Sequence, residues 1–333
     1  MTTQGHIAVV IPCYKVTGQI LDVIKGIGPE CDKIYVVDDA CPDGSGKLVQ
    51  DKSADPRVTV LFHESNQGVG GATITGIRQA VMDGAAVIVK VDGDGQMDAQ
   101  LIPVFARLIF EGKADYTKGN RFHDPEGVSS MPTVRLLGNA VLSFLTKLSS
   151  GYWDLFDPTN GFVAMHRDVA RVLPLDKVSR DYFFESDMLF RLNISRAVVV
   201  DIPIRGRYAD EVSNLVPSRI ALTFAMRHLR NFVKRIAYSY FLRDFNLASL
   251  NLMVGFPMFI FGLGFGLTEW AISAHTGIPA TAGTVMLSAL PTLLGMQLLL
   301  SFLAHDMLPE NGPPLHQRLH PGTTPDATEE ETG

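Results

Sequence analysis

Two long segments near the end of this 333-residue chain carry almost no charge, and they constrain its folding more than any other feature. Residues 245–268 contain no Asp, Glu, Lys or Arg, and after Glu269 the next such residue is Asp306. Each segment holds a run of about 20 largely apolar residues, enough to cross about 30 Å of hydrocarbon as a helix. The sequence therefore predicts a membrane hairpin with spans at about 247–267 and 280–304. The alternative is a buried helical hairpin inside a soluble core.

Basic residues before the first span predict the orientation of this hairpin. Six Arg and Lys side chains crowd the segment 219–243, whereas the loop between the spans has none. The positive-inside rule then places the large N-terminal part in the cytoplasm and returns the tail to the same side. The tail, 307–333, is rich in Pro, Gly, Thr and Glu, and we expect it to be disordered.

The segment 218–242 has the pattern of an amphipathic helix. At 100° per residue, one face collects Leu222, Leu229, Phe232, Val233, Ile236 and Tyr240. The opposite face carries Arg227, Arg230 and Lys234. A basic amphipathic helix beside a span is typical of a helix that lies in the membrane interface. The alternative is a surface helix packed on the soluble part.

The composition excludes several classes of protein. Hydrophobic residues make up 46% of the chain, which rules out disorder throughout. Three cysteines cannot all pair, so a disulfide scaffold is excluded. Lys and Arg total 29 against 35 Asp and Glu, and this net charge of −6 does not indicate nucleic acid binding. The apolar run 6–12 is too short for a signal peptide, and no basic segment precedes it.

The first 210 residues alternate between short apolar runs and helical patterns. Four β-branched runs, 24–28 residues apart, predict strands at 7–11, 34–37, 58–61 and 86–91. Helical patterns fill the gaps at 18–27, 46–53 and 70–82. Such units form an α/β fold with a mostly parallel sheet, in which ligands bind at the carboxyl ends of the strands. Binding and catalytic residues are therefore expected directly after each apolar run.

Carboxylates follow two of these runs. Asp92 and Asp94 come directly after the fourth run, and Asp38 and Asp39 follow the second. Hard oxygen ligands two residues apart suit Mg²⁺ or Mn²⁺, and such a cation would hold a diphosphate. The alternative for a single Asp-x-Asp is a solvated turn. Two acidic sites on one sheet edge favour the metal interpretation.

A glycine-rich segment, 68–71, opens the helix after the third run. Backbone N–H groups at a helix start can receive an anion, so Gly68 is a candidate nucleotide contact. Close packing of the helix on the sheet explains the glycines equally well. The segment is neither a P-loop nor a Gly-x-Gly-x-x-Gly motif, which counts against an NAD-binding dehydrogenase.

Eight motifs, in order along the chain, resemble those of a known family. They are VVIPCYK, VVDDACPDGSG, NQGVGGATITGI, KVDGDGQMD, KGNRF, DPTNGF, YFFESDML and RYADEVSNL. Together they resemble the family 2 glycosyltransferases, and more narrowly the branch that transfers a sugar from a nucleotide onto a polyprenyl phosphate. The resemblance covers about 7–215, and the two spans after it resemble the bacterial subgroup with a C-terminal membrane hairpin.

The resemblance implies a GT-A fold and an inverting reaction that uses Mg²⁺ or Mn²⁺. The residues that match the family's nucleotide contacts are Pro12, Tyr14, Asp38, Asp39, Gly68 and Asp92. Those that match its metal and donor-phosphate site are Asp92, Asp94 and Gln96. The chain departs from the family at Met97-Asp98, where His-Pro or Asp-Pro is frequent, but the residues nearest the metal remain.

A lipid phosphate needs cations close to the membrane. Arg121, Arg135 and Asn139 match the spacing of the family's acceptor-phosphate group, and a guanidinium fork can donate two hydrogen bonds to phosphate. The alternative for Arg135 is a surface charge on a helix over 133–149. Arg207 could clamp the donor diphosphate or the lipid phosphate, and the sequence does not choose between them.

Two further acidic motifs are expected near the sugar. Asp157 lies in DPTNGF, and Glu185 and Asp187 lie in FFESDML, which looks like the family's motif that supplies a general base. A phosphate acceptor is already anionic at neutral pH, so we expect Asp187 to orient the sugar or the phosphate. The residues predicted to be catalytic are therefore Asp94, Asp157 and Asp187. Helix capping or a salt bridge is the alternative for Glu185.

We expect four regions: a catalytic domain at 1–216, juxtamembrane helices at 217–244, a transmembrane hairpin at 245–306 and the tail. The expected reaction moves a hexose from the nucleotide sugar UDP-glucose to the polyprenyl phosphate undecaprenyl phosphate at the cytoplasmic face of a bacterial inner membrane. GDP-mannose and a UDP-N-acetylhexosamine are alternative donors. A non-catalytic, membrane-tethered nucleotide-sugar sensor is the alternative from another class. Membrane lipids are expected partners, and a homo-oligomer follows from the family resemblance only.

Overall fold

The computed structural model describes residues 6–123, 133–157, 160–205, 217–309 and 312–320. The chain divides into two units. The first unit comprises Met1–Asn231 and Glu310–Gly333, and the second comprises Phe232–Pro309. The division therefore falls inside the segment predicted to be an amphipathic helix, and not before it.

A seven-stranded sheet lies at the centre of the first unit. Its strands are β1 (Ile7–Cys13), β2 (Lys33–Asp38), β3 (Val58–Phe62), β4 (Val87–Lys90), β5 (Tyr116–Asn120), β6 (Val163–His166) and β7 (Val199–Pro203). Their order across the sheet is β3-β2-β1-β4-β6-β5-β7, and β6 runs antiparallel to both of its neighbours, whereas the other pairs are parallel. The predicted mostly parallel α/β fold is confirmed, and each predicted strand overlaps one of β1–β4.

Helices cover the sheet and extend beyond it. They are α1 (Ile20–Gly26), α2 (Ser45–Lys52), α3 (Gly68–Met82), α4 (Ile102–Phe110), α5 (Thr133–Ser150), α6 (Arg167–Val172), α7 (Phe184–Ile194), α8 (Pro217–Ile236), α9 (Leu247–Thr276), α10 (Ala282–Asp306) and α11 (Leu315–Leu319). Short 3₁₀ segments occur at Ala99–Leu101, Arg121–His123 and Leu175–Lys177. A π-helical segment, Ala237–Arg243, follows α8.

The sheet separates two hydrophobic cores, because successive side chains of a strand point to opposite faces. On β4, Val87 and Val89 pack into the core that α1 and α4 cover, and Ile88 packs into the core that α3 and α7 cover. Lys90 shares the face of Ile88, so its ammonium group enters a region built mainly from apolar side chains. This placement brings a buried positive charge to the carboxyl end of β4.

The second unit contains the predicted hairpin. Helices α9 and α10 are both long and apolar enough to cross a membrane. Only 11% of the most apolar window of each helix is buried, which disfavours the alternative of a hairpin inside a soluble core. Apolar side chains left exposed along both helices are suited to contact with lipid hydrocarbon.

Glycines allow α9 and α10 to pack closely. A Cβ atom on Gly262 would lie 2.5 Å from Thr292 Oγ1, and one on Gly295 would lie 2.5 Å from the backbone nitrogen of Phe259. Across this contact Ser288 Oγ donates a hydrogen bond to the carbonyl oxygen of Gly262 at 3.0 Å. Small residues at a helix contact let the backbones approach, as in membrane helix pairs.

Helix α8 buries polar side chains and leaves apolar ones exposed. His228 and Asn231 are buried, at 2% and 6% exposure, and they contact polar partners of the first unit. Four apolar side chains form an exposed stripe: Leu222, Met226, Leu229 and Val233. Ile236 and Tyr240 were predicted on the same face as this stripe but are buried in one apolar cluster. Tyr240 lies in the π-helical segment, where the 100° periodicity no longer holds.

Residues 312–320 also differ from expectation, because they are ordered against the first unit and not free as predicted. The buried carboxylate of Asp115 accepts hydrogen bonds from the backbone nitrogens of Leu315 and His316, at 2.6 and 2.9 Å, and from that of Val198 at 2.7 Å. His316 Nδ1 lies 2.6 Å from the same carboxylate. Burial would raise the pKa of Asp115, but these hydrogen bonds lower it, so the charged carboxylate anchors the segment.

Candidate active site

The carboxyl end of β4 brings together side chains that are distant in the sequence. Lys90 Nζ donates to Asp92 Oδ1 at 2.7 Å and to the carbonyl oxygen of Gly161 at 3.2 Å. Glu185 Oε1, from the first turn of α7, lies 3.5 Å from the same nitrogen. We call Lys90, Asp92 and Glu185 the β4 triad. Its side chains are 2%, 29% and 14% exposed, so the ammonium group is the deepest and Asp92 the most open.

Burial and charge act in opposite directions in the β4 triad. Burial alone would lower the pKa of Lys90, but the charges of Asp92 and Glu185 outweigh it and raise that pKa, so the amine stays protonated. Burial raises the pKa of Glu185, and the ammonium group of Lys90 opposes this shift. The sequence analysis missed Lys90. Its position at the end of a predicted strand, two residues before Asp92, was the available signal, because residues i and i+2 of an extended chain point the same way.

Gly161 leaves room for the β4 triad. A Cβ atom at this position would overlap Lys90 Nζ and would lie 2.5 Å from Asp92 Oδ2. The turn before β6 therefore approaches the triad with backbone only, which explains why a residue without a side chain follows Asn160.

Asp94 lies beyond the β4 triad, in the turn after β4. It is half-buried, and its Oδ1 accepts a hydrogen bond from the backbone nitrogen of Gln96 at 3.0 Å. A surface cavity of about 430 Å³ borders Asp94 and is lined also by Gln19 and Asp22 of the α1 region. The predicted metal residues are therefore not equivalent, because Asp92 is held by an internal cation and Asp94 faces a cavity.

The donor set is compatible with a divalent cation that the substrate helps to bind. Among the residues that the structure describes, no group of three or more His, Cys, Asp or Glu side chains is arranged to hold a metal ion. Mg²⁺ in proteins is commonly bound by one or two carboxylates together with substrate phosphates and water. Asp94 and the amide of Gln96 can supply such a partial set, so the residues present fit Mg²⁺ or Mn²⁺.

The two acidic residues at the end of β2, Asp38 and Asp39, are both buried and paired internally. Asp38 accepts hydrogen bonds from the backbone nitrogens of Cys41 and Gly46, at 2.7 and 2.6 Å. Asp39 accepts from the backbone nitrogens of Gln67 and Gly68, both at 2.8 Å, and lies 2.7 Å from His63 Nδ1. These contacts fix the loops beside β1, where Pro12 is half-buried and Tyr14 is 43% exposed. Nucleotide contact by the two carboxylates remains a prediction.

The glycines at the start of α3 serve close packing. Gly68 has φ +82°, a conformation that favours glycine. The backbone nitrogens of Gly70 and Gly71 both donate to the carbonyl oxygen of Arg180, at 2.9 and 3.3 Å. A Cβ on Gly70 would lie 2.5 Å from the carbonyl oxygen of Ser179. Because these N–H groups already have acceptors, the geometry favours the packing interpretation over anion binding.

Arg121 and Asp157 form a two-pronged ion pair. Arg121 Nε donates to Asp157 Oδ2 at 2.7 Å, and its Nη2 donates to Oδ1 at 2.9 Å. Asp157 is completely buried and has φ +37°, which is unusual for a residue other than glycine. Burial would raise the pKa of Asp157, but Arg121 and Lys118 lower it, so the group is ionised at neutral pH. The structure thus pairs a predicted acceptor residue with a predicted catalytic one.

Lys118 is a second buried lysine that the sequence analysis missed. It donates hydrogen bonds to the carbonyl oxygens of Gly119 and Phe156, both at 3.3 Å, and to that of Asp157. Burial lowers the pKa of Lys118, although the charge of Asp157 opposes this. Its ammonium group holds the backbone of the turn that carries Asp157, which accounts for the unusual conformation there.

Asp187 is enclosed by donors. Its Oδ2 accepts from the backbone nitrogen of Ser179 at 2.9 Å and from Arg191 Nε at 3.1 Å, and its Oδ1 accepts from Asn231 Nδ2 at 3.0 Å. Oδ1 therefore joins α7 to α8, and Oδ2 joins α7 to the segment before it. Within FFESDML, Glu185 and not Asp187 reaches the end of β4.

The remaining predicted acceptor residues are only partly described. Asn139 is half-buried on α5. Arg135 lies on α5 as expected, but its side chain is outside the part of the chain that the structure describes, as is the whole of Arg207.

The mostly parallel sheet of the first unit has a GT-A-like fold. A solved structure of glucosyl-3-phosphoglycerate synthase from Mycobacterium tuberculosis, in complex with Mn²⁺, UDP-glucose and phosphoglyceric acid, has this fold. It matches with a TM-score of 0.52 at 15% identity and covers 70% of this chain and 80% of that chain. A second structure of that enzyme, with phosphoglyceric acid, matches with a TM-score of 0.51 at 16% identity and the same coverage. At this identity the likeness shows the fold alone.

Sequence comparison then gives the family. Residues 8–173 match the family described as Glycosyl transferase family 2. An undecaprenyl-phosphate mannosyltransferase of Micrococcus luteus is 31% identical over 204 residues, which are 60% of this chain and 82% of that protein. This chain belongs to glycosyl transferase family 2.

Two further relatives carry related names. One is a UDP-N-acetylglucosamine–dolichyl-phosphate N-acetylglucosaminyltransferase of Methanococcus voltae, 28% identical over 61% of this chain and 86% of that protein. The other is a polyprenol monophosphomannose synthase of Mycolicibacterium smegmatis, 29% identical over 59% of this chain and 75% of that protein. The relatives thus agree with the polyprenyl-phosphate branch that the motifs resemble.

Proposed function

We propose that this chain transfers a hexose from a nucleotide sugar to the phosphate of a polyprenyl lipid, with inversion at the anomeric carbon. One observation carries the proposal: a GT-A sheet with an acidic edge and two helices fit to cross a membrane occur in the same chain. The names of the relatives support the acceptor class, because all three include a polyprenyl or dolichyl lipid.

The proposed reaction is a single displacement at C1 of the sugar. An oxygen of the lipid phosphate attacks C1, the bond from C1 to the diphosphate breaks, and the electron pair leaves with the nucleoside diphosphate. The attacking phosphate is anionic at neutral pH, so the step needs no general base. This agrees with the internal pairing of Asp157 and Asp187, whose carboxylates already accept several hydrogen bonds.

In this proposal Asp94 and Gln96 hold Mg²⁺ or Mn²⁺ together with the donor diphosphate. The metal, when bound, neutralises charge that develops on the leaving nucleoside diphosphate. Asp92 belongs to the β4 triad, and we assign it to contact with the donor sugar and its phosphate. Pro12 and Tyr14 are assigned to the nucleotide, as the family resemblance implies.

We assign the lipid phosphate to Arg121, Arg135, Asn139 and Arg207, as the family resemblance implies. Arg121 also donates two hydrogen bonds to Asp157. Guanidinium groups suit this task because they match phosphate with two parallel hydrogen bonds.

UDP-glucose is the proposed donor, and GDP-mannose is the second candidate. The second candidate is favoured by the relatives of M. luteus and M. smegmatis, whose names specify mannose. The proposed location is a bacterial inner membrane, with the first unit in the cytoplasm, because basic residues precede α9 and the loop after it has none. Assembly into a homo-oligomer remains a prediction.

The test is to incubate the purified full chain in detergent with undecaprenyl phosphate, Mn²⁺ and a set of nucleotide sugars, followed by mass spectrometry of the lipid fraction. We expect one hexosyl phospholipid. Asp94→Asn should reduce its formation by at least about 100-fold, because the cation loses its carboxylate. Asp51→Asn, a change at an exposed site, is the matched control and should leave the rate unchanged.

Two results would contradict the proposal. Full turnover by Asp94→Asn would reject the metal assignment. Binding of a nucleotide sugar without any lipid product or donor hydrolysis would instead favour the non-catalytic sensor.

A further inference from the structure

Lys90 occupies a position that a metal ion could occupy. Its Nζ lies 2.7 Å from Asp92 Oδ1, 3.2 Å from the carbonyl oxygen of Gly161 and 3.5 Å from Glu185 Oε1. Two carboxylates and a carbonyl are the oxygen ligands that Mg²⁺ and Mn²⁺ prefer. The proposed donor metal is expected only two residues away, at Asp94. Without the ammonium group, the end of β4 would offer a divalent cation two neighbouring sites.

The ammonium group of Lys90 is buried in the first unit. The side chain is 2% exposed and belongs to the core face of β4, where Ile88 precedes it and Tyr116 and Phe184 line the same small cavity. A buried ammonium group is costly unless it is paired, and the observed partners meet this requirement. In turn, Asp92 is turned toward Glu185 and Gly161 by its contact with the ammonium group.

We propose that Lys90 is a positioning residue of the transfer reaction, whose ammonium group takes the place of a second cation, holds Asp92 in the β4 triad and leaves the metal to Asp94. This inference rests on the proposed function, because it concerns the site at which the donor binds. If Lys90 fills the second cation position, the protein binds the metal tightly only when the donor is also bound. The residues that the structure describes offer the cation too few ligands, and the diphosphate completes the set.

Two substitutions of Lys90 separate charge from space. Lys90→Ala removes the ammonium group and opens the cavity to Mn²⁺, whereas Lys90→Met removes the charge but fills the space. Binding of Mn²⁺ to the full chain in detergent, without nucleotide, is measured by electron paramagnetic resonance. We expect Lys90→Ala to bind Mn²⁺ at least about 10-fold more tightly than the wild type, and Lys90→Met to show no gain. The double variant Lys90→Ala/Glu185→Gln should lose the gain, because an amide is a weaker ligand than a carboxylate.

Kinetics give a second readout. In both Lys90 variants Asp92 is no longer held, so we expect kcat to fall about 100-fold while the KM for the donor changes less than about threefold. Lys113→Met is the matched control, because Lys113 is an exposed lysine paired with Glu111, and it should resemble the wild type in both measurements.

The outcomes distinguish this inference from the proposed function. A Lys90→Ala protein that folds but gains no Mn²⁺ affinity overturns the inference, even if the wild type transfers sugar. If the Lys90→Ala protein fails to fold even when Mn²⁺ is added, the inference is also overturned. If this variant folds only when Mn²⁺ is present, the inference is supported. A wild type that yields no lipid product overturns the proposed function, while the Mn²⁺ affinities still decide the role of Lys90.

Discussion

Substitution of Asp157 distinguishes a catalytic role of this carboxylate from a structural one. It is completely buried, and its partner Arg121 is 27% exposed. Removal of one partner of such a pair leaves the other charge uncompensated and typically costs about 3–5 kcal/mol. We expect Asp157→Ala to lower the free energy of unfolding of the first unit by about 3 kcal/mol, measured by urea denaturation. Where the variant remains folded, it should still transfer sugar.

The neighbouring Asp154 provides a matched control, because it is exposed. Asp154→Ala should leave both stability and transfer unchanged. If Asp157→Ala is as stable as the wild type and yet transfers no sugar, the residue is catalytic, as the motif first indicated, and the structural assignment is wrong.

His228 makes a prediction about pH. It is 2% exposed, its Nδ1 lies 2.8 Å from Ser149 Oγ, and burial lowers its pKa to about 4 from an ordinary value of 6.5. The unfolded chain therefore takes up this proton first as the pH falls. The contribution of His228 to stability is complete above about pH 6.5 and is lost progressively down to about pH 4, a change of about 3 kcal/mol.

We expect His228→Asn, which keeps a polar atom near Ser149, to weaken this pH dependence. The measurement is the thermal unfolding temperature of both proteins at pH 7.5, 6.0 and 4.5. His123→Asn alters an exposed histidine and serves as the control. Equal slopes for the wild type and His228→Asn would show that the histidine does not contribute.

Single residues show what a sequence can reveal of a site. The positions of Asp92 and Asp94 at a strand end could be predicted, because carboxyl ends of neighbouring parallel strands share one edge. The partners could not be predicted. Lys90 meets Glu185 across 95 positions of sequence, and Asp39 meets Gln67 across 28. Such pairings depend on packing that no local pattern encodes.

The strands differ in how far their own sequence predicts them. β1–β4 are runs of mainly apolar, β-branched residues, as is typical of parallel strands, and they were predicted. β5 contains Lys118 and Asn120, and β7 contains Asp201, so neither has such a run. The antiparallel β6 is four residues long. These strands gain their positions from pairing with neighbours and not from their own pattern.

The exposed stripe of α8 predicts contact with lipid. Leu229 and Val233 are 53% and 56% exposed, whereas the face that carries His228 is polar and packs within the first unit. An apolar stripe that the described part of the chain leaves exposed, one short segment before α9, is suited to the membrane interface. We expect a nitroxide at Leu229→Cys, in nanodiscs, to be relaxed more by oxygen than by a water-soluble nickel complex.

The same label at Lys234→Cys should show the opposite preference, because Lys234 lies on the basic face of α8. Greater nickel accessibility at position 229 would mean that the stripe faces water or another protein. The interfacial role would then be wrong, although the fold of the first unit would be unaffected.

At the scale of the whole molecule, the order of the chain differs from the order in space. The polypeptide leaves the first unit after Asn231, forms the hairpin unit, and returns to the first unit from Glu310. Composition predicted a disordered tail, because Pro, Gly, Thr and Glu are typical of disorder. That argument counts only what the tail can bury by itself. It cannot include Asp115, a buried carboxylate elsewhere in the chain that takes its hydrogen bonds from the tail.

The return segment predicts that the last part of the chain stabilises the first unit. Asp115 accepts two backbone hydrogen bonds and a histidine contact from residues 315–316, and Gln317 Nε2 donates to the carbonyl oxygen of Gly112 at 2.9 Å. Deletion of 310–333 would leave Asp115 with the backbone nitrogen of Val198 as its remaining partner among these donors. At about 1 kcal/mol for each hydrogen bond, more where the acceptor is charged, we expect a loss of about 2–4 kcal/mol and a fall of several degrees in unfolding temperature.

Deletion of 321–333 alone keeps the segment that contacts Asp115 and should leave the temperature unchanged. A fall of equal size in both deletions would mean that the stabilisation comes from residues after His320, and His316→Ala would then have no effect.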